Sequence, residues 1–324
     1  MSDLSDWEIP PALQPNPEEY DYDLDATVAS VVGIRALVPI DAFTAETLGT
    51  ERAGNGVLID GGVVLTVGYL VVEAETIWLT FSDGTAVEGH ALGYDQVTGF
   101  ALVQPLTRLD LPGLPLGNSS ATTVGDNVVI AGIGGRECAV AAQIVAKQEF
   151  AGYWEYVLDE AIFATPAHPH WGGAAVIGPA GDLIGIGSLQ LQAAAQDGEA
   201  VPLNMIVPID ILKPVLDDLL TKGRRNQPVR PWLGLYATGI DDTVVVFGLA
   251  EGGPAEAADV RAGDVILAVD GETVTDLAEF YRMVWDQGDA GVEVPLTLYR
   301  EEDTLERTVV SSDRNLLLKG PRLH

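Results

Sequence analysis

Between Ala26 and about Gln192, short runs of Val, Ile, Leu and Thr recur between Gly, Asp and Asn turn signals: VASVVGIRALVPI, GNGVLIDGGVVLTVG, TIWLTFSDGTAVEGHALGYD, NVVIAGIGG and DLIGIGSLQLQ. Runs this short, broken this often, predict the strands of an all-β barrel or sandwich. The period then changes. In IDILKPVLDDLLTKG the apolar residues Ile209, Leu212, Val215, Leu216, Leu219 and Leu220 follow the i, i+3, i+4 rule, with Gly223 as a stop, so a helix is expected to close the first domain. RRNQPVRP reads as a polar connector. Beyond it come LGLYATG, TVVVFGL, a Gly-Gly-Pro turn, DVILAVDGETV with an Asp-Gly hairpin signal, the helical-period stretch DLAEFYRMVWDQ and a final strand VEVPLTLYRE. The expected order is an acidic extended arm at 1–25, a mainly β domain at 26–223, a linker at 224–230, a small mixed β/α module at 231–312 and a tail at 313–324.

The chain has 324 residues, 47% of them hydrophobic, which is enough for about two domains with buried cores. Its net charge of −31 excludes a phosphate-binding surface, because nucleic-acid faces need clustered Lys and Arg. The basic cluster Lys222 to Arg230 falls in the linker. The acidity fits either a salty environment or a basic partner. The first 34 residues carry no Lys or Arg, and the arm has neither the basic nor the apolar region of a secretory signal. The stretch Val28 to Val38 is interrupted by Ser30, Gly33 and Arg35 and is too short to span a bilayer. A single cysteine, Cys138, makes no internal disulfide and is expected to be a small buried side chain. These readings lead to the expectation of a cytoplasmic protein.

The order of segments GNGVLID, VVLTVGYLVV, WLTFSDGTAVEGHALGYD, TGFALVQ, LPLGNSSATTVGDNVVIAGIGG, WGGAAVIGPAGDLIGI and RPWLGL resembles the HtrA (DegP-like) family over roughly residues 27 to 312. The resemblance implies a trypsin-like double β-barrel followed by a PDZ domain. It also implies where a protease triad should stand, and there the sequence departs. Tyr69 occupies the place of the histidine, Gly99 that of the aspartate and Trp171 that of the serine. A phenol cannot take the serine proton at neutral pH, glycine has no carboxylate, and an indole has no nucleophilic atom. Pro169 falls where the family uses a backbone N–H in the oxyanion hole, and proline has none. From this the chain is expected to be a pseudoenzyme rather than a protease.

The same resemblance places a carboxylate-binding loop at Trp232, Leu233, Gly234 and Leu235, with Leu233 and Leu235 lining a peptide pocket and Phe280, Met283 and Val284 forming its opposite wall. Whether this groove is open or covered is left undecided by the sequence. RPWLGL lies only about ten residues before TVVVFGL, shorter than in many relatives, so an insertion is missing. Active relatives often trimerise through N-terminal aromatics, and Trp7, Tyr20 and Tyr22 are candidates for such a homo-oligomer contact.

Other residues carry less. His168 and His170 flank Pro169 and have a spacing that metal sites use, yet no Cys or Asp stands near in sequence to complete a shell, so no metal is expected. His90 and His324 are isolated. Ser119, Ser120 and Ser188 have no neighbouring base, and Gly132, Gly134 and Gly135 lack the lysine of a phosphate loop. Trp154 and Tyr156 read as packing residues of a strand. No cofactor is expected. The function expected from all this is that of an inactive HtrA-like pseudoprotease working as a protein-binding adaptor, assembly factor or structural subunit. The alternatives are a holdase for unfolded clients and a hydrolase with an altered active site. Partners are expected to be proteins, with no nucleic acid and no membrane insertion.

Overall fold

A computed structural model describes residues 9–109, 111–194 and 200–320, and these fall into two compact units. The first comprises the described parts of 1–148, 160–226 and 320; the second comprises 149–159 and 227–319.

Six strands of the first unit, β1 (Val31–Leu37), β2 (Glu51–Ile59), β3 (Val63–Val67), β4 (Thr76–Thr80), β5 (Ala86–Tyr94) and β6 (Phe100–Pro105), close an antiparallel barrel in the order β1-β2-β3-β6-β5-β4. Alternation drives the closure. In TIWLT of β4, Ile77 and Leu79 are buried while Trp78 is exposed, so one face fills the barrel and the other meets solvent. The second barrel uses β7 (Asn127–Ala131), β8 (Ala139–Gly152), β9 (Tyr156–Thr165), β10 (Ala175–Ile177), β11 (Leu183–Ala194) and β12 (Ala200–Pro208), in the order β10-β11-β12-β9-β8-β7. Val128, Ile130, Val140, Ile162, Val176 and Ile206 share its core. Mainly β architecture is therefore as the strand spacing predicts, and the two closed barrels are as the resemblance implies.

Ile9 also enters that core, and its N–H donates to Glu137 O at 2.7 Å. The described part of the arm is thus not a free extended chain. It makes two 3-10 turns and a short helix, Leu24–Val28, capped by the Asp23 side chain, and Asp25 pairs with Arg136 at 2.6 Å. Tyr22 packs over Gly181, and Tyr20 lies 5.4 Å from it, ring to ring. Trp7 and His324 lie outside the described residues.

The helix expected over Ile209 to Gly223 is present in two pieces, a 3-10 turn Ile209–Ile211 and an α-helix Leu216–Lys222, because Pro214 removes a backbone donor between them. Gly223 ends it in a left-handed conformation, φ 71°.

In the second unit β13 (Leu235–Ile240), β14 (Thr243–Leu249), β15 (Val265–Val269), β16 (Glu272–Thr273), β17 (Glu293–Arg300) and β18 (Asp303–Val310) form one antiparallel sheet in the order β13-β14-β15-β17-β18, with β16 beside β15. The helix Leu277–Asp286 covers it, burying Ala278, Phe280, Tyr281 and Val284 at helical spacing. Its start is fixed by Asp276, whose carboxylate accepts from Glu279 N–H at 2.8 Å, while Glu279 accepts from Thr275 N–H at 2.9 Å. The tip residues 149–159, the end of β8, its turn and the start of β9, belong to this unit. No helix among the described residues is long and apolar enough to cross a membrane.

Candidate functional site

The first barrel unit brings Tyr69, Gly99 and Trp171 to one place. β3 ends at Val67, and the next turn carries Tyr69; Gly68 N–H donates to Gly99 O at 2.7 Å, which fixes the loop after β5 against that turn. Gly99 takes φ 78°, a conformation suited to a residue without Cβ. The Tyr69 hydroxyl donates to Ser188 O at 2.9 Å, and a Cβ placed on Gly172 would lie 2.8 Å from it. Trp171 O accepts from Ala174 N–H at 3.0 Å. Burial pushes the Tyr69 phenol above its usual range, so it remains a neutral donor at physiological pH.

Asn55 builds this region, and sequence reasoning passed over it. It is 1% exposed. Its amide donates to His170 O at 2.9 Å, its side-chain oxygen accepts from Ile133 N–H at 2.9 Å, and its own N–H donates to Gly172 O at 2.8 Å. Gly173, at φ 75°, lets its backbone approach so closely that a Cβ there would lie 1.8 Å from Asn55 O. The Asn in GNGVLID, an amide inside an apolar strand, was the available signal.

His168 is wholly buried, and both its ring nitrogens are used. Nε2 lies 3.0 Å from Cys138 O, while Nδ1 accepts from His170 N–H at 3.1 Å. A carbonyl only accepts and an N–H only donates, so the proton sits on Nε2 and no lone pair remains for a metal. Burial lowers its pKa to about 4, the Cys138 contact opposing it. His168 N–H and O are held in turn by the Asn204 side chain, at 2.7 and 3.3 Å. Pro169 follows directly, and the chain around it is therefore pinned on both sides. Cys138 is buried, as expected, and is in no disulfide. Among the described residues no cluster of His, Cys, Asp and Glu could hold a metal.

The second site lies within the second unit. Gly234, at φ 73°, turns the chain so that Leu233, Gly234 and Leu235 aim their N–H groups to one side. Their carbonyls on the other side are occupied where bonds occur, Leu233 O by Ala255 N–H and Gly234 O by Ala250 N–H, both at 2.8 Å. Trp232 pairs both its backbone groups with Ser312 at 3.0 Å and lays its ring against Gly234. The three N–H groups converge on one carboxylate, that of Glu155. Leu233 N lies 3.2 Å from each oxygen, and Gly234 N and Leu235 N lie 2.9 and 3.4 Å from Oε1. Glu155 is 7% exposed and stands at φ 61°. Burial raises its carboxyl pKa to about 7, against the opposing pull of the Leu233 and Gly234 amides, of Arg314 and of the Leu235 amide.

Leu233, Leu235, Phe280 and Val284 are all fully buried, in one cluster with Val157 of the 149–159 tip; Met283 and Ala151 pack at its edge. Phe280, Met283 and Val284 are thus core or core-edge residues under a covered surface. The sequence left open whether this surface was covered; a segment of the same chain covers it. Trp154 and Tyr156, expected to be packing residues, stack at 5.7 Å on that segment. Glu155 was not singled out from sequence, and an isolated Glu in AGYWEYV offers no pattern that would have done so.

A trypsin-like peptidase domain model matches residues 54–186, and a PDZ domain model matches residues 231–310. The chain is 28% identical over 283 residues to the putative serine protease HhoA of Synechocystis sp., covering 79% of this chain and 69% of that protein. It is 30% identical over 253 residues to a probable periplasmic serine endoprotease, DegP-like, of Pseudomonas fulva, covering 72% and 50%. A protein of the same name from Pseudomonas savastanoi pv. phaseolicola is 28% identical over 279 residues, covering 80% and 56%. The chain thus spans about half the length of the two DegP-like relatives. Among solved structures, the HtrA-type protease AlgW with decapeptide superposes with a TM-score of 0.54 at 19% identity, covering 92% of this chain and 99% of that one, a likeness of fold.

These relatives correct two expectations. That the chain is a pseudoenzyme was inferred from three residues, whereas the relatives matched across most of its length are named serine proteases and endoproteases. That it is cytoplasmic was inferred from the character of the first residues and the single cysteine, whereas the DegP-like relatives are named periplasmic, which points to an extracytoplasmic location. Two barrels, a covered sheet module and matches of both domain models in the expected order lead to one conclusion: the chain joins a trypsin-like peptidase domain to a C-terminal PDZ domain and is an HtrA/DegP-like protein, homologous to HhoA and the DegP-like endoproteases.

Proposed function

We propose that this protein works by holding protein segments in the groove between β13 and the helix Leu277–Asp286, as an adaptor, assembly factor or structural subunit of a larger complex. The observation that carries this is the loop Leu233–Leu235, whose three successive N–H groups already bind a carboxylate. Such a loop beside a sheet edge is the device by which PDZ domains take a peptide's terminal carboxylate and add the peptide as a strand. Leu233, Leu235 and Val284, buried in one apolar cluster with Val157 of the tip, would take a last side chain once the tip is displaced.

A second reading, hydrolysis of protein substrates, is favoured by the names of the relatives. The resemblance implies that Tyr69, Gly99, Trp171 and Pro169 stand at the family's triad and oxyanion positions, and turnover would then run through groups other than a serine–histidine–aspartate set. The hydroxyl of Tyr69, committed to Ser188 O, is a donor rather than a base.

The test is purification of the tagged full chain from its host, with stoichiometry by native mass, followed by challenge with peptides ending in a free carboxylate. A partner at fixed ratio that the peptides release supports the adaptor reading. A broad set of sub-stoichiometric clients, together with suppressed aggregation of unrelated unfolded proteins, replaces it with a holdase.

A further inference from the structure

The groove that would receive a peptide is filled by the chain itself, in the manner of a peptide. The tip 149–159 meets the edge of β13, where Ala237 N–H donates to Tyr153 O at 3.3 Å. Two residues later Glu155 delivers its carboxylate to the N–H groups of Leu233, Gly234 and Leu235. A bound C-terminal peptide would make the same two kinds of contact: a strand-edge bond upstream and a carboxylate in the loop. Further contacts hold the tip. Val157 and Ala151 join the apolar cluster, Tyr153 rests edge-on against Phe247 at 5.4 Å and Tyr236 at 6.1 Å, and Arg282 pairs with Glu149 and Asp159 at 2.5 and 2.6 Å.

We propose that Glu155 is an internal ligand of the carboxylate loop, and that a protein C-terminus binds this groove by displacing it. The inference rests on the peptide-binding reading above and adds its regulation: the site is closed at rest and opens only to a carboxylate that outcompetes the tip. The chemistry suits exchange rather than a permanent bond. A buried carboxylate is costly unless fully hydrogen-bonded, and here burial outweighs the amides and Arg314 in setting its protonation, so its seat is not one of strong preference for the charged form. The ion pairs of Arg282 are substantially exposed and hold the tip weakly. The occupant expected after release is a terminal carboxylate on an apolar last residue, since Leu233, Leu235, Phe280 and Val284 line the neighbouring core.

The experiment uses the full chain, wild type and Glu155→Ala, with a fluorescein-labelled peptide pool ending in Val, Leu, Ile or Phe. The pool is prepared with free and with amidated C-termini. Binding is read by anisotropy. The proposal expects the free-carboxylate pool to bind Glu155→Ala at least about tenfold more tightly than wild type, with the amidated pool binding neither. Equal affinity of the free pool for both proteins would leave the peptide-binding reading standing and overturn Glu155 as competitor. No binding to either protein would overturn both. Should Glu155→Ala fold poorly, Glu155→Asn, which tolerates the positive φ and is one methylene too short to seat in the loop, replaces it. Hydrogen exchange on wild type is an independent check: saturating free-carboxylate pool should speed exchange of amides 150–157 while Leu233–Leu235 remain protected, and unchanged exchange in the tip with peptide bound would contradict displacement.

Discussion

At the residue scale, two buried titratable groups give opposite pH signatures. Glu155 has a folded pKa raised from 4.5 to about 7, with the Tyr281 hydroxyl and the Arg314 guanidinium as its charged or titratable neighbours. The folded form therefore holds a proton that the unfolded form loses. Stability from this group is present below about pH 4.5 and drains away as pH rises towards 7, by about 3 kcal/mol in all. The second unit's melting midpoint, compared with that of Glu155→Gln, should fall across this window; a wild-type advantage that grows with pH would refute the assignment. His168 behaves in the reverse sense. Its folded pKa is lowered from 6.5 to about 4, so its contribution is complete above 6.5 and is lost as pH falls through that window. The barrel unit should acquire acid sensitivity there, absent in His168→Asn when each is referenced to its own neutral-pH midpoint. Asn55→Ala should cost about 1–3 kcal/mol, because it leaves Ile133 N–H and His170 O without their partner in a part-buried place. A thermal midpoint unchanged by that substitution would show that water replaces the amide.

Elements explain what was readable beforehand. Strand alternation such as Ile77/Trp78/Leu79, the helical spacing of Ala278, Tyr281 and Val284, and the stop at Gly223 are local signals, and each element formed where its pattern lies. The two-piece form of the segment after Ile209 was readable too, from Pro214, had its missing N–H been weighed against the periodicity. The convergence of Tyr69, Gly99 and Trp171 came from the family resemblance. Glu155 was not legible, and of Asn55 only the amide inside an apolar strand was, because each acts on backbone groups distant in sequence, over 78 positions in the case of Asn55 with Ile133 and of Glu155 with Leu233. The fate of Ile9 belongs here as well: an acidic, proline-rich composition argued for a loose arm, and one apolar side chain seated in the second barrel's core fixed it. At this scale the capping of Leu277–Asp286 is a direct test. Asp276→Ala removes the acceptor of Glu279 N–H and should destabilise the second unit by about 1 kcal/mol. A loss below the error of a urea titration would show that packing of Phe280 and Tyr281 alone sets the helix start.

For the whole molecule, the charge of −31 and the domain matches point to protein partners. A gel-shift with duplex DNA at about 0.15 M salt should show no complex, since that net charge repels a polyanion. Homology to named proteases makes turnover of unfolded casein a fair assay for this chain. If residue 171 stands in the family's nucleophile position, a serine-directed fluorophosphonate should leave it unlabelled and leave any turnover undiminished. Labelling of a serine accompanied by loss of turnover would locate the nucleophile elsewhere and remove Trp171 from that position. The central claim, however, concerns the groove. Its most direct measurement is the set of backbone amide shifts of Leu233, Gly234 and Leu235 in the full chain, followed by NMR while a peptide ending in valine is added with its C-terminus free or amidated. The account predicts that the three amides move together with the free carboxylate and stay unmoved with the amide form. Three amides indifferent to both peptides, or equally responsive to both, would contradict it.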